Sequence, residues 1–242
     1  MLVTKVKVPT FDIRWWEVLA VLGAALSLAV VTAMLVALVM GGGDPTKMQA
    51  LARSETYMLT VLTLSTIGMI AAVFFIVVLR RRIGWRGFGL KPISLQTVIL
   101  SVVVGLLCVP LMGVVGTAVQ KLLGRPMVSP QLPFLAPAGF SYTALVGMLI
   151  IGGLLAPFAE ELIFRGLLFG WLRRFWRVWP AVLASAAVFG LIHGLIPIIF
   201  AAAAVGMVLA IAYEKTGSLW SPVIIHATQN SVAIAIMFAN LA

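Results

Sequence analysis

The sequence predicts an all-α fold: a polytopic bundle of about seven transmembrane helices with a polar cavity inside the membrane. Of 242 residues, 62% are hydrophobic and only 10% are charged, whereas soluble domains carry charge on about a quarter of their residues. The apolar residues also form runs of about 20, the length at which a helix crosses roughly 30 Å of hydrocarbon. We therefore expect a single membrane domain over residues 1–242, integral to a membrane and surrounded by lipid.

Seven apolar segments are the candidate spans, three within residues 1–140 and four within residues 141–242. The fourth is long enough for a tilted helix, or for a span plus a re-entrant piece, and the fifth and sixth are short, so an eighth span is an alternative. The segments run from Trp15 to Met40, Tyr57 to Leu79, Leu95 to Val119, Ser141 to Gly170, Pro180 to Leu195, Pro197 to Tyr213 and Leu219 to Leu241.

The net charge of +10 comes from short basic clusters between apolar runs. This arrangement is typical of topology signals, and we expect no nucleic-acid partner. Basic loops of membrane proteins lie in the cytoplasm, which predicts a cytoplasmic N-terminus and outward loops at 41–55 and at the proline-rich 120–140, an ordered cap or surface segment. Short loops favour a prokaryotic cell membrane. The two main clusters are Arg80, Arg81, Arg82, Arg86 and Lys91, and Arg173, Arg174 and Arg177.

Titratable side chains inside the spans are few. Glu160, Glu161 and Arg165 lie deep in the fourth apolar segment, and His193 and His226 lie within later ones. A charged residue at a helix centre costs about 2.5–3.5 kcal/mol in lipid, so these side chains must face protein or trapped water. Spacing of four residues lets Glu161 pair with Arg165, while Glu160 points about 100° away, free to face a cavity. The other acidic residues lie at or near span ends, where water reaches them: Asp12, Glu17, Asp44, Glu55 and Glu214.

The same spacing of four recurs in two later segments. It aligns Phe189 with His193 and His226 with Asn230. If three helices turn these faces inward, one pocket holds a carboxylate, two imidazoles and an amide. Amide hydrolysis needs a base for water, an acid for the leaving amine and donors for the oxyanion. The pattern therefore predicts peptide hydrolysis.

These residues form three ordered motifs: Glu160-Glu161-x-x-x-Arg165, Phe189-x-x-x-His193 and His226-x-x-x-Asn230. They resemble the motifs of the CAAX-protease and bacteriocin-processing (CPBP) intramembrane protease family, also called the ABI family, which includes the type II CAAX prenyl endopeptidases. The resemblance covers roughly residues 141–242. Three motifs in order, on the ionisable residues inside the spans, are far more specific than one.

The resemblance implies an intramembrane endopeptidase that cuts a membrane-embedded or lipidated peptide or protein. By similarity, Glu160 would activate water with help from His193, and His226 and Asn230 would stabilise the oxyanion. We expect cleavage near the cytoplasmic half of the bilayer. The residues expected to support the site are Glu161, Arg165 and Phe189.

Cofactor use stays open at this point. Zn²⁺ needs three protein ligands and an open position, which Glu160, His193 and His226 could supply, but no H-E-x-x-H pair is present, and we favour hydrolysis without metal. Two other functions would also bury such residues. A proton-coupled transporter would spread them along a path across the membrane, and a non-catalytic immunity or peptide-binding protein would keep the pocket without cleavage. The lone Cys108, inside an apolar run, indicates a packed core cysteine.

Overall fold

The apolar runs of the sequence fold as helices. A computed structural model describes residues 8–9, 12–51, 54–124 and 140–241. The proline-rich part of the 120–140 loop, predicted to be a cap or surface segment, lies outside these residues. The helices of the described part are α1 (Trp15–Gly41), α2 (Pro45–Leu51), α3 (Glu55–Leu79), α4 (Leu95–Leu122), α5 (Tyr142–Leu172), α6 (Val178–Leu191), α7 (Ile196–Thr216) and α8 (Trp220–Ala239).

Six of these helices are long and apolar enough to cross a membrane: α1, α3, α4, α5, α7 and α8. Large apolar side chains cover their outer faces; Val39 is 79% and Leu122 86% exposed. Such surfaces are favourable against lipid and unfavourable in water. The predicted helical transmembrane bundle is confirmed, and the chain is an integral membrane protein. The seven predicted spans correspond to these six helices and α6.

Helix α6 is shorter than the rest. Its 14 residues extend about 21 Å, less than the hydrocarbon thickness. A tight turn follows, in which Gly194 adopts a left-handed conformation with φ of 74°, which glycine tolerates best. Pro197 then starts α7 in the first turn, where a missing N–H costs nothing. His193 is thereby held on the turn between α6 and α7, and the described residues contain no eighth span.

Helix α5 is one continuous span of 31 residues with irregular turns. Wide π-helical turns at Ile151–Leu155 and Leu162–Phe169 flank the α-helical piece Ala156–Glu161. Pro157 has no N–H to donate and its ring crowds the carbonyl four residues earlier, so regular α-helical bonding is interrupted there. Such π-helical turns are frequent at functional sites, and these two enclose Glu160 and Glu161.

One end of the bundle collects most of the positive charge. Hydrogen bonds and ion pairs join the starts of α1, α4 and α8 to the ends of α3, α5 and α7 at this end. We call it the basic end; the opposite end holds the C-termini of α1, α4 and α8. The described basic residues at the basic end are Arg14, Arg80, Arg81, Arg82, Arg86, Lys91, Arg173, Arg174, Arg177 and Lys215.

Glu17 differs from the sequence-based expectation. It was expected to be reached by water, but its side chain is fully buried and accepts hydrogen bonds from Arg81 Nε and Nη2, the latter at 2.6 Å. This hydrogen bonding raises the pKa of the Arg81 guanidinium. The two residues are 64 positions apart, so no local sequence pattern predicts their contact. A second pair at the same end joins Arg173 to Glu214 through two bonds of 2.9 Å.

Small residues allow the helices that carry the predicted site residues to approach one another closely. A Cβ added at Gly105 of α4 would lie 2.6 Å from the carbonyl oxygen of Ile225 in α8, and one at Gly190 of α6 would collide with the carbonyl oxygen of Ile199 in α7. Cys108 is 2% exposed within the apolar cluster between α4, α7 and α8, as expected for a core cysteine. This packing fixes the walls of a central cavity.

Candidate active site

A cavity of about 710 Å³ opens between α4, α5, α6, α7 and α8. The four residues that the sequence nominated for catalysis, Glu160, His193, His226 and Asn230, all line it. They come from two helices, α5 and α8, and from the turn after α6. The structure therefore brings together side chains that are up to 70 residues apart in the sequence.

Beneath the cavity lies a fully buried ion pair. Arg165 Nη1 donates to Glu161 Oε1 at 2.8 Å, and both side chains are 0% exposed. Arg165 Nη2 donates to the backbone oxygen of Gly206 at 3.0 Å, and the guanidinium carbon lies 4.5 Å from the centre of the Phe189 ring. The pairing expected from the four-residue spacing is present. These contacts compensate for much of the cost of placing charge within the membrane.

Glu161 also holds the imidazole of His226. The distance from His226 Nδ1 to Glu161 Oε1 is 2.8 Å. Because an ionised carboxylate can only accept, Nδ1 must carry the proton, and Nε2 is the nitrogen that faces Glu160, with 3.9 Å between Nε2 and Glu160 Oε2. The sequence assigned Glu161 a supporting role but gave no sign of this partner, which is 65 residues away.

His193 is oriented by the backbone of its own helix. Its Nδ1 lies 2.8 Å from the carbonyl oxygen of Phe189; since a carbonyl only accepts, Nδ1 carries the proton and a neutral ring has a free lone pair on Nε2. The Phe189 ring packs edge-on against both imidazoles, with centroids 5.0 Å from His193 and 5.6 Å from His226. Phe189 is 2% exposed, and its ring packs against the two imidazoles and restricts their orientation.

Glu160 is the carboxylate that faces the cavity. Its side chain is 20% exposed, whereas that of the adjacent Glu161 is fully buried. Glu160 Oε2 itself is buried and has no hydrogen-bond partner among the described protein groups. A buried oxygen of this kind is costly to leave unpaired. Glu160 is therefore placed to bind a water molecule or a polar group of a ligand.

The side-chain amide of Asn230 makes one hydrogen bond within the protein and keeps a second N–H for a ligand. Its Nδ2 donates one bond to the backbone oxygen of Gly152 at 3.1 Å. A carboxamide nitrogen carries two N–H groups, so a second donor remains for a ligand in the cavity. The contact also ties α8 to the first π-helical turn of α5.

Several polar residues of the cavity were missed by the sequence reasoning. Gln229 is 4% exposed, with Nε2 3.3 Å from the sulfur of Met112. Thr117 and Gln120 of α4 and Asn240 at the end of α8 line the cavity farther from Glu160. Gln229 belongs to no recognisable motif, and polar residues near a helix end are normally interpreted as a membrane boundary, so little in the sequence could have identified them.

The zinc set considered from the sequence does not form. Among the described residues, no three histidine, cysteine, aspartate or glutamate side chains are gathered in a way that could hold a metal ion. Both Nδ1 atoms are engaged by Phe189 and Glu161, which leaves only the Nε2 atoms of His193 and His226 to bind a ligand. Because the described side chains are not gathered into such a group, they do not fit a three-ligand site, and we derive no step through a metal.

Most of the described cavity wall is apolar. Its ionisable side chains are Glu160, His193 and His226; no lysine or arginine lines it. Apolar walls with a few convergent polar groups are typical of ligand sites. The aliphatic part includes Val109, Met112, Met148, Ile198, Val205 and Ile234.

A glutamate, two imidazoles and an amide line one cavity inside a helical membrane bundle, which is the arrangement that the three sequence motifs predicted for a membrane protease. Comparison with known proteins is in agreement. The model of the family described as type II CAAX prenyl endopeptidase Rce1-like matches residues 142–232, which contain all three motifs. Residues 142–232 are thus similar to the type II CAAX prenyl endopeptidases, and this similarity supports a place for the segment in the CAAX-protease (CPBP) family.

One curated relative is the Bacillus subtilis (strain 168) protein named "Putative membrane peptidase YdiL". It is 30% identical over 87 residues, and the match covers 36% of this chain and 36% of the relative. The chain thus spans about a third of the length of that relative. No solved structure matches the chain.

Proposed function

We propose that this chain is an intramembrane endopeptidase in which Glu160 activates water for attack on a peptide bond. One observation carries the proposal: Glu160, His193, His226 and Asn230 line the same cavity inside a membrane bundle, with an unpaired oxygen of Glu160 buried there. These are the groups that uncatalysed amide hydrolysis lacks in water.

In the first step, ionised Glu160 takes a proton from a water molecule as the water oxygen bonds to the peptide carbonyl carbon. His193 assists through the Nε2 lone pair that its bond to Phe189 leaves free. General-base catalysis of this kind is worth about 10²- to 10⁴-fold. Glu160 then returns the proton to the departing amine nitrogen as the C–N bond breaks, which yields a carboxylic acid and an amine.

The oxyanion formed in between needs donors. With Nδ1–H held by Glu161, a protonated His226 presents Nε2–H to the cavity, and the free N–H of Asn230 supplies a second donor. The Glu161–Arg165 pair holds the ring in the orientation in which Nε2 faces the cavity. One oxyanion donor is worth about 10²- to 10³-fold in rate.

The cavity wall indicates the kind of substrate. Apolar, uncharged walls favour an apolar peptide segment, either membrane-embedded or attached to a lipid chain. A charged side chain or a free carboxylate in the same place would lose its hydration with no cationic partner among the described lining residues. We therefore propose an apolar peptide segment as substrate, in a chain that continues beyond the cavity.

The test is cleavage of an apolar peptide by purified protein in lipid vesicles, followed by mass spectrometry. Glu160→Gln, which keeps size and hydrogen bonding but cannot accept the proton, should lower cleavage by about 10²- to 10⁴-fold. The matched control is Glu55→Gln at the start of α3, which does not line the cavity and should cleave like the wild type. Equal cleavage by the two variants would refute the mechanism.

The same pair of variants addresses the other functions. A non-catalytic peptide-binding protein would show no cleavage in the wild type and unchanged binding in Glu160→Gln. A proton-coupled transporter would lose coupled transport in the variant. We prefer the peptidase, because the described cavity ends at Glu160 and His226 above the buried Glu161–Arg165 pair instead of continuing to the basic end.

A further inference from the structure

The cavity leads toward only one end of the bundle. Its lining comes from the second half of α4, the first half of α7 and most of α8 beyond His226. Polar residues mark the way from Glu160 outward, with Thr117 and Gln120 near the end of α4 and Asn240 at the end of α8. All of these segments lie in the half of the bundle away from the basic end.

The other half is closed. Between the site and the basic end lies the largest apolar cluster of the described residues, which includes Phe88, Leu162, Phe169 and Tyr213, each fully buried. Tyr213 also donates to the carbonyl oxygen of Phe88 at 2.9 Å. A substrate approaching from the basic end would have to displace this packing.

Charge determines which side each end faces. Among the residues that the structure describes, the basic end holds ten lysines and arginines, named above, whereas the opposite end holds two, Lys47 and Lys121. An excess of lysine and arginine in short loops keeps that side in the cytoplasm. The asymmetry therefore assigns the basic end to the cytoplasm and the end with Asn240 to the opposite face.

Together these observations concern the route of access to the site. The expectation of cleavage near the cytoplasmic half stays a prediction, since Glu160 and His226 lie nearer the basic ends of α5 and α8 than the opposite ends. We infer that the cavity opens to the non-cytoplasmic side of the membrane, and that the substrate is an apolar peptide segment presented from that side. The substrate part of the inference rests on the proposed peptidase function; the direction of opening does not. The substrate class is then a chain that has crossed or entered the membrane, such as an exported or membrane-inserted peptide.

The test uses the full-length chain in sealed spheroplasts and a charged, membrane-impermeant maleimide. Cys108 is the chain's single cysteine and is replaced by alanine, and one new cysteine is introduced at a time. Asn240→Cys and Thr117→Cys report on the cavity and its end of the bundle, and Arg177→Cys, at an exposed position, reports on the basic end. Each variant is labelled before and after permeabilisation.

We expect Asn240→Cys and Thr117→Cys to be labelled in sealed spheroplasts nearly to the level reached after permeabilisation, and Arg177→Cys only after it. We also expect maleimide-labelled Thr117→Cys to cleave an externally added apolar peptide more slowly than the same variant without reagent. The reverse labelling pattern would overturn the inference, even if Glu160-dependent cleavage persists. Expected labelling without any Glu160-dependent cleavage would reject the peptidase and the substrate part, while the direction of opening would stand.

Discussion

At the scale of single residues, Glu161 links stability to chemistry, because one of its oxygens accepts from both Arg165 and His226. Two adjacent glutamates thus have different environments. Glu160 faces the cavity and Glu161 is sealed beneath it. The wide turn that starts at Leu162 follows directly on this pair.

This link predicts that stability and activity can be separated. Arg165→Met leaves the Glu161 charge buried without its cation and should cost about 3–5 kcal/mol of unfolding free energy. The double variant Glu161→Gln/Arg165→Met removes both charges and should recover most of that loss. Cleavage should stay low in the double variant even though its stability recovers, because His226 there lacks its carboxylate partner. Thermal unfolding and peptide cleavage in the same detergent measure the two effects.

If instead the double variant regained wild-type cleavage, His226 would need no carboxylate. The role given to Glu161 would then be wrong, and only its part in packing would remain.

Acidity gives a second prediction at this scale. A protonated Glu160 cannot accept a proton from water, so cleavage by the wild type should fall as the pH is lowered and the carboxylate is neutralised. The measurement is the rate of cleavage against pH under conditions where peptide binding is saturated. A rate that rose steadily toward acid would show that an ionised base is not required.

At the scale of helices, the site depends on the close approach of α6 to α7. Gly190 lies against the backbone of α7 at Ile199, with no room for a Cβ. Gly190→Ala should therefore push the helices apart, at a cost of about 1–3 kcal/mol, and lower cleavage by moving Phe189 and His193. Gly23→Ala in α1, where nothing lies within 4 Å, is the control. Unchanged unfolding temperature in Gly190→Ala would contradict the packing described.

The positions of the helices were largely predictable from the sequence. The π-helical turns within them were not. Apolar runs of about 20 residues located the long helices to within a few positions, because hydrocarbon thickness sets their length. The π-helical turns around Pro157 were not foreseen, since periodicity assumes a regular helix. The short α6 was predicted as an apolar segment, but its place beside α7 depends on Gly190 and Gly206 contacting distant neighbours.

At the scale of the whole molecule, ion pairs at the basic end fix how the N-terminal helices meet the rest. Arg81→Gln removes the hydrogen bonds from Nε and Nη2 to the buried Glu17 and should lower the unfolding free energy by about 1–3 kcal/mol, the usual cost of losing a hydrogen bond to a buried charged group. Arg82→Gln, at an exposed neighbouring position, is the matched control. Equal thermal stability of the two variants would show that the Glu17 contact contributes little.

The site as a whole was partly visible in the sequence. Charge inside an apolar segment is expensive, which singled out Glu160, Glu161, Arg165 and the two histidines before any fold was known. Their catalytic roles remain proposals. The sequence could not show contacts between residues far apart along the chain. The bond between Glu161 and His226, the burial of Glu17 and the direction in which the cavity opens all depend on such contacts.

The most direct measurement of the central claim is single-turnover cleavage of one apolar peptide, with wild type and Glu160→Gln in excess over the peptide. Under these conditions all peptide is bound, so the rate reports the chemical step and not affinity. We predict that the variant holds the peptide but cleaves it about 10²- to 10⁴-fold more slowly. Cleavage at the wild-type rate by Glu160→Gln would contradict the account.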